Sequence, residues 1–205
     1  AAVLMESVQG EGGVMPLEEK FVKGVAELCR EHGALLVMDE VQTGNGRTGK
    51  LYGYMNFGVT PDIVTTAKGI GGGLPLGVCM LGEKVQDVFQ PGLHGSTFGG
   101  NPVCCAGAIS IMERIDEELL RQVREKSDYV FKALQGAKGV KSVSGMGLMI
   151  GVETERPAKD IVADCMEQGV LVLTAKTKVR LLPALNIPMD ELEKAVAVLK
   201  AACGK

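Results

Sequence analysis

The chain has 205 residues, of which 46% are hydrophobic and 23% charged, and its formal net charge is −3. This composition is typical of a globular protein with one large or two small domains, long enough to bury a core. Lysine and arginine form no cluster, and no apolar run is long enough to cross a bilayer, so we expect neither nucleic acid nor a membrane as a partner.

The cysteines carry no metal-binding pattern, because none of the six forms a C-x-x-C pair and neither histidine lies near a cysteine pattern. A zinc site is therefore not expected. The first residues, AAVLMES, lack the basic start and long apolar region of a secretion signal. The sequence thus predicts buried free thiols in a reducing cytoplasm.

Strand and helix patterns alternate over roughly the first 120 residues. Apolar runs predict strands at 1–5, 34–40, 62–68 and 77–82. Between the first two, apolar residues at helical spacing predict a helix over 16–30, with Pro16 in its first turn and Gly33 as its stop. The continuous run at 34–40 is typical of a parallel sheet covered on both faces.

A long helical stretch leads from this part to a region of different pattern. Asn101 and Pro102 open a long helical stretch to about 135, with a predicted break near 115–117. Beyond it, the sequence predicts a strand or hairpin at 140–154, a helix at 159–169, strands at 170–174 and 178–183, and a closing helix at 189–202. We therefore expect an α/β layer to about residue 120 and a smaller α+β domain after it.

Polar residues collect where three predicted strands of the first part end. They are Glu6, the acids of DEVQTG (39–44), and Lys68 in DIVTTAKGIGGG. Chemistry in α/β sheets concentrates at the carboxyl ends of the strands. Burial of Lys68 at such an end would be costly without a partner, so the residue requires a functional reason. The bland alternative is a surface lysine at a strand end.

Two glycine motifs suggest nucleotides but lack the rest of the pattern. GNGRTGK (44–50) has the spacing of a phosphate loop, yet Leu51 stands where Ser or Thr would hold magnesium. GIGGG (69–73) is followed by Pro75 with no room for a phosphate-binding helix. A flexible glycine loop is the better interpretation of the first motif, and the lone glycine cluster of the second is a weak signal.

Three longer motifs carry a family resemblance: DEVQTG, PDIVTTAKGIGGGLPLG and HGSTFGGNP (94–102). Together with LMESVQGEGGVMP and VRLLPALNI, they resemble the class III (omega-amino acid) aminotransferases, which use pyridoxal 5′-phosphate. The resemblance runs through essentially the whole chain. It implies transfer of an amino group from N-acetylornithine to 2-oxoglutarate in arginine biosynthesis, with ornithine, succinylornithine or 4-aminobutyrate as alternative donors.

The resemblance also implies cofactor-binding roles. Lys68 would hold the cofactor through a Schiff base and later move a proton at the substrate. Asp39 would pair with the pyridine nitrogen and Gln42 would bind the phenolic oxygen. Thr97, helped by Ser96, would bind the phosphate across a homodimer interface. The alternative for Asp39 is a solvated acid at a strand end, and the alternative for Gln42 is a polar loop residue. For Ser96 and Thr97 it is an ordinary Ser/Thr turn.

For the substrate, the resemblance implies that Arg180 binds the α-carboxylate of glutamate or 2-oxoglutarate. Glu11 would pair with Arg180 when the amino donor is bound instead. An exposed arginine on an edge strand is the alternative. The resemblance places 1–120 in the carboxyl-terminal part of the large PLP-binding domain of a fold-type I aminotransferase, including the start of the connecting helix. It makes 121–205 the small α+β domain.

Members of this family are longer, and two of their features have no counterpart in this sequence. These are an amino-terminal phosphate loop and an aromatic residue stacked on the cofactor ring. The chain therefore resembles the carboxyl-terminal half of such an enzyme, and we expect these 205 residues alone to be inactive. A fragment that keeps only the fold is the alternative from another class of function.

Overall fold

The computed structural model describes residues 1–205 and contains ten strands and five α-helices. The strands are β1 (Ala2–Glu6), β2 (Val8–Gln9), β3 (Met15–Pro16), β4 (Leu35–Asp39), β5 (Ile63–Thr66), β6 (Val78–Leu81), β7 (Val140–Met146), β8 (Met149–Thr154), β9 (Leu173–Ala175) and β10 (Lys178–Leu181). The helices are α1 (Glu19–Glu31), α2 (Pro102–Met112), α3 (Glu117–Leu134), α4 (Ala158–Glu167) and α5 (Met189–Cys203). Short 3-10 turns lie at Gly53–Asn56 and Lys68–Gly71.

The chain divides into two compact units. The first comprises Ala1–Ser7, Leu17–Asn45 and Lys50–Asp116, and the second comprises Val8–Pro16, Gly46–Gly49 and Glu117–Lys205. Two short early segments therefore belong to the second unit. The two units are for this reason not separated by a single boundary in the sequence.

A four-stranded sheet in the order β1-β4-β5-β6 forms the first unit. Neighbouring strands β1, β4 and β5 run parallel, and β6 is antiparallel to β5. In this register Glu6 lies opposite Asp39, and Asp39 lies opposite Thr65. The carboxyl ends of the three parallel strands are therefore level with one another, as the sequence predicted.

Helix α1 packs its apolar face on this sheet, where Cys29 joins Leu36 and Met38 in a buried cluster. The predicted start at Pro16 is wrong, because the helix begins at Glu19. Pro16 is extended and lies opposite Val8 in the β2–β3 ladder. A proline with two following acids has the pattern of a first helical turn, but this pairing keeps Pro16 out of the helix.

The second unit contains an antiparallel sheet in the order β7-β8-β10-β9. Residues of α3, α4 and α5 cover it and bury a continuous apolar core that includes Leu134, Ile161, Val179 and Leu199. The predicted hairpin at 140–154 is confirmed as β7 and β8. The strand predicted at 170–174 begins only at Leu173, because Val170 still bonds back to the last turn of α4 through Cys165.

Local contacts explain why the two early segments join the second unit. Val8 and Val14 are fully buried with Met149 and Ala175, and the Ser144 hydroxyl donates to the Val14 carbonyl at 2.8 Å. In the other segment, the Arg47 carbonyl accepts a hydrogen bond from the Leu148 amide at 2.9 Å.

No helix of the chain is long and apolar enough to span a membrane. All six cysteines are free thiols; four are buried, Cys105 is half-buried, and Cys79 is exposed, which corrects the prediction that all are buried.

Candidate active site

Asp39 is the last residue of β4 and is half-buried. Its Oδ1 accepts a hydrogen bond from the Val41 amide at 2.9 Å, which fixes the carboxylate at the strand end. No group of the chain donates a hydrogen bond to its Oδ2. An ionisable group that is fixed on one side and open on the other is suited to binding a ligand.

The neighbouring acid, Glu40, is completely buried and has an extensive set of donors. Its Oε1 accepts from the Ser7 hydroxyl at 2.9 Å and the Tyr54 amide at 2.8 Å. Its Oε2 accepts from the Thr43 hydroxyl at 2.5 Å and the Gly53 amide at 2.7 Å. Such a set compensates for the loss of water around a buried carboxylate. Glu40 thereby ties the end of β1 to the 3-10 turn that starts at Gly53.

Two neighbours of Glu40, Tyr54 and Gly53, show the effect of this buried acid. Burial raises the pKa of Tyr54, and the charge of Glu40 raises it further. A Cβ at position 53 would lie 2.8 Å from the Ser7 Cβ and 3.1 Å from the Glu40 Oε2, so glycine is required there. Sequence reasoning left Glu40 without a role; the available signal was the pair of adjacent acids, and nothing local says which one is buried.

Lys68 follows β5 by two residues and opens the second 3-10 turn. The expectation that it is buried is wrong for this chain, since its side chain is exposed. The strand ends at Thr66, and it is Thr66 and Ile70, at 1% and 5% exposure, that fill the interior around it. Lys68 instead has a left-handed backbone with φ of +51°, which costs a non-glycine residue roughly 1–2 kcal/mol.

Gln42 lies half-buried three residues after Asp39, in the turn that follows β4. This turn contains the glycines of the apparent phosphate loop. No α-helix follows the loop, only the short 3-10 turn at Gly53–Asn56, which agrees with its interpretation as a glycine turn. Gly44 is required for close packing, because a Cβ there would lie 2.7 Å from the Glu40 carbonyl oxygen.

Ser96 and Thr97 lie in an exposed loop between β6 and α2. No hydrogen bond within the chain joins them to Asp39, Gln42 or Lys68. Exposed apolar side chains flank them: Leu93, Phe98 and Val103 are 69%, 84% and 67% exposed. Apolar exposure on this scale is typical of a surface that another chain or segment covers.

In the second unit, Arg180 and Glu11 form an ion pair, with 2.7 Å between Nη1 and Oε1. Arg180 is 9% exposed and lies in β10, between β8 and β9, so it is not an edge-strand surface residue. Glu11 is 76% exposed at its side chain. The Nε of Arg180 is buried and has no hydrogen-bond partner. A buried, unpaired donor on a guanidinium is an unused position for an anion.

Arg47, in the glycine turn, has a structural role that the sequence did not indicate. Its Nη1 donates to the carbonyls of Leu148 and Pro183, at 3.1 and 2.6 Å. Burial lowers its pKa to about 10. Arg47 therefore holds the segment Gly46–Gly49 in place within the second unit.

Comparison with known proteins gives consistent matches. The family model "Aminotransferase class-III" matches residues 1–203. Among curated proteins, the acetylornithine aminotransferase of Haemophilus ducreyi is 49% identical over 200 residues, which are 97% of this chain and 51% of the relative. The chain spans about half the length of the curated relatives it matches.

Solved structures agree. N-acetylornithine aminotransferase from Stenotrophomonas maltophilia K279a matches with a TM-score of 0.89 and 37% identity, over 98% of this chain and 56% of that chain. An ornithine aminotransferase from Toxoplasma gondii, crystallized with oxidized glutathione and showing partial occupancy of PLP at its active site, has a TM-score of 0.92 and 34% identity, over 98% of this chain and 50% of that chain.

The chain belongs to the class-III aminotransferase family, which confirms the resemblance carried by its motifs. Its α/β fold is that of part of a fold-type I aminotransferase.

Proposed function

We propose that the protein carrying this sequence transfers the amino group of N-acetylornithine to 2-oxoglutarate in arginine biosynthesis, with pyridoxal 5′-phosphate as its cofactor. The observation that carries the proposal is the 49% identity to an acetylornithine aminotransferase across nearly the whole chain. Identity to the Toxoplasma ornithine aminotransferase is 34%. Ornithine is therefore the second candidate donor, because a shared fold does not determine the substrate.

The residues of the first unit fit this cofactor. Asp39 has an oxygen to which no protein group donates a hydrogen bond, which suits a protonated ring nitrogen. Lys68 has an exposed amine and takes part in no ion pair, so it is available for a covalent bond. Gln42 is assigned to the phenolic oxygen, and Ser96 and Thr97 to the phosphate.

When bound, pyridoxal phosphate supplies an aldehyde carbon that exchanges amines and a ring that withdraws electrons from the substrate's α-carbon. Asp39 would hold the proton on the ring nitrogen, and the Nζ of Lys68 would hold the cofactor covalently. When it is not bound to the cofactor, the amine of Lys68 would move a proton at the substrate's α-carbon.

Arg180 is assigned to the α-carboxylate of 2-oxoglutarate or glutamate. A carboxylate can accept two parallel hydrogen bonds from a guanidinium, and the Nε of Arg180 is unpaired. Glu11 holds Nη1 when that carboxylate is absent. Since Glu11 is largely exposed, its carboxylate can return to water when the substrate replaces it.

The further assignments concern assembly, location and domains. The exposed apolar residues around Thr97 support a homodimer with the cofactor site at its interface. The free cysteines support a reducing, cytoplasmic location. We assign 1–120 to part of the large cofactor-binding domain and 121–205 to the small domain, except that Val8–Pro16 and Gly46–Gly49 belong to the compact unit of the latter.

A panel of amino donors tests the proposal. The full-length protein that carries this sequence is supplied with pyridoxal phosphate and 2-oxoglutarate. It is then given N-acetylornithine, ornithine, N-succinylornithine or 4-aminobutyrate, and glutamate formation is measured. The highest kcat/KM for N-acetylornithine supports the proposal. Preference for another donor overturns the substrate assignment, and absence of glutamate with every donor overturns the aminotransferase assignment.

A further inference from the structure

The strained backbone of Lys68 requires something that holds it in place. Non-glycine residues with positive φ persist only where their surroundings determine the conformation. One restraint is the 3-10 turn, in which the Ile70 amide donates to the Ala67 carbonyl at 3.2 Å. A single turn bond of this length at the end of a strand is a weak restraint.

A second restraint comes from Asn45. Its Nδ2 donates to the Ala67 carbonyl and to the Thr66 hydroxyl, both at 3.2 Å. The Ala67 carbonyl belongs to the peptide whose nitrogen is that of Lys68, so this bond fixes the orientation of the peptide plane that precedes the lysine. Asn45 also packs beside Gly69, where a Cβ would lie 3.6 Å from the Asn45 Cβ. It therefore contacts the chain on both sides of Lys68.

The orientation of the Asn45 amide follows from its partners. A carbonyl only accepts hydrogen bonds, so the group that faces Ala67 must be the NH₂. Asn45 is 8% exposed and itself has φ of +56°. Asparagine is one of the few non-glycine residues that tolerate this conformation. The residue type, its backbone and its burial thus agree on one arrangement.

We propose that Asn45 is a positioning residue: its side-chain amide clamps the Ala67–Lys68 peptide and so sets the direction from which the Lys68 amine reaches the cofactor. This inference rests on the proposed role of Lys68. The clamp itself lies entirely within the first unit and does not depend on a bound group.

Two substitutions separate the hydrogen bonds from the backbone conformation. Asn45→Gly keeps positive φ accessible and removes the amide. Asn45→Asp keeps the shape, but its carboxylate cannot donate to the Ala67 carbonyl. Asn56→Gly is the matched control, because Asn56 also donates Nδ2 to a carbonyl, that of Gly53 at 3.0 Å, but is exposed and lies in the other 3-10 turn.

The first readout is hydrogen exchange of the segment 66–72 in the cofactor-free protein. We expect exchange about tenfold faster in both Asn45 variants, as loss of one or two hydrogen bonds implies, with helix α1 unchanged. Unchanged exchange in segment 66–72 in either variant would overturn the clamp. Equal acceleration of helix α1 would also overturn it, since it would show general destabilisation.

The second readout is the kinetic split with pyridoxal phosphate added. We expect kcat to fall about tenfold in both Asn45 variants while KM for 2-oxoglutarate stays unchanged and Asn56→Gly behaves as wild type. Faster exchange without a fall in kcat would overturn the positioning role. Failure of the proposed function is separately visible as wild-type protein in which borohydride attaches no cofactor to Lys68.

Discussion

Lys68 and Arg180 are the two cations assigned to ligands, and their surroundings differ in opposite ways. Lys68 has an exposed side chain on a backbone with φ of +51°. Arg180 has a side chain that is 9% exposed, on a strand that pairs regularly on both sides. The cost lies in backbone conformation for the lysine and in desolvation for the arginine. A cation can thus be prepared for a ligand either by fixing its backbone or by burying its charge beside a replaceable partner.

The largest effect is expected from Lys68→Ala. Activity with N-acetylornithine should fall at least about 100-fold, because both covalent binding and proton transfer depend on this amine. The midpoint of urea unfolding should be unchanged, since the side chain is exposed. Lys50→Ala, at another exposed lysine, is the control. A Lys68→Ala variant that retained most of its activity would contradict the assignment of Lys68 to the cofactor.

Arg180→Ala should weaken the binding of 2-oxoglutarate by roughly 2–5 kcal/mol. A cost of this size is expected when one partner of a buried charge pair is removed. Glu11→Ala should leave 2-oxoglutarate binding intact and impair the half-reaction with the amino donor. Each half-reaction is followed separately by single-turnover absorbance. Arg156→Ala, which breaks the ion pair with Asp164 at 2.8 Å, is the control. Equal effects of the Arg180 and Glu11 variants on both half-reactions would contradict the exchange of partners.

The adjacent acids Asp39 and Glu40 offer a second comparison, since Asp39 is assigned to the cofactor and Glu40 stabilises the fold. Each Glu40 oxygen accepts from one backbone amide, so the NH₂ of Glu40→Gln must face one of them. We expect a loss of about 1–3 kcal/mol in the free energy of unfolding. Asp39→Asn keeps an acceptor for the Val41 amide and should lose activity with little loss of stability. Urea denaturation and donor kinetics on both variants test this. Lost stability in Asp39→Asn with lost activity in Glu40→Gln would contradict both assignments.

The smallest effect concerns a purely structural ion pair. Hydrogen bonds from Arg156, and next from Lys205, hold the pKa of Asp164 below its ordinary value of 3.8. A lowered carboxyl pKa gives stability that is present above the ordinary value and is lost as pH falls through the folded value. Asp164→Asn should therefore flatten the fall in thermal stability between about pH 5 and pH 2 and leave activity at neutral pH unchanged. An unaltered acid profile would show that this pair adds nothing to stability.

Much of the fold could be predicted from local pattern. The apolar runs before Asp39 and Lys68 became strands β4 and β5, and the glycine-rich stretch at 140–154 became a hairpin. Pro16 misled the prediction because its partner, Val8, lies in a different strand. Local pattern carries no information on such pairing.

The supporting residues of the site were missed for the same reason. Glu40 accepts a hydrogen bond from a hydroxyl 33 residues away, and Asn45 donates one to a carbonyl 22 residues away. Single acids and amides in a turn have many possible partners, so only the folded chain identifies the right ones. Lys68 is also exposed because β5 ends at Thr66, two residues before it, whereas the sequence predicted a strand to 68.

The most direct test of the central claim is to locate the covalent bond to the cofactor. The protein is incubated with pyridoxal phosphate, reduced with borohydride, digested and mapped by mass spectrometry. We expect the reduced cofactor on the peptide containing Lys68 and its loss in Lys68→Ala. Attachment to Lys50 or Lys84 instead, with Lys68 unmodified, would contradict the assignment.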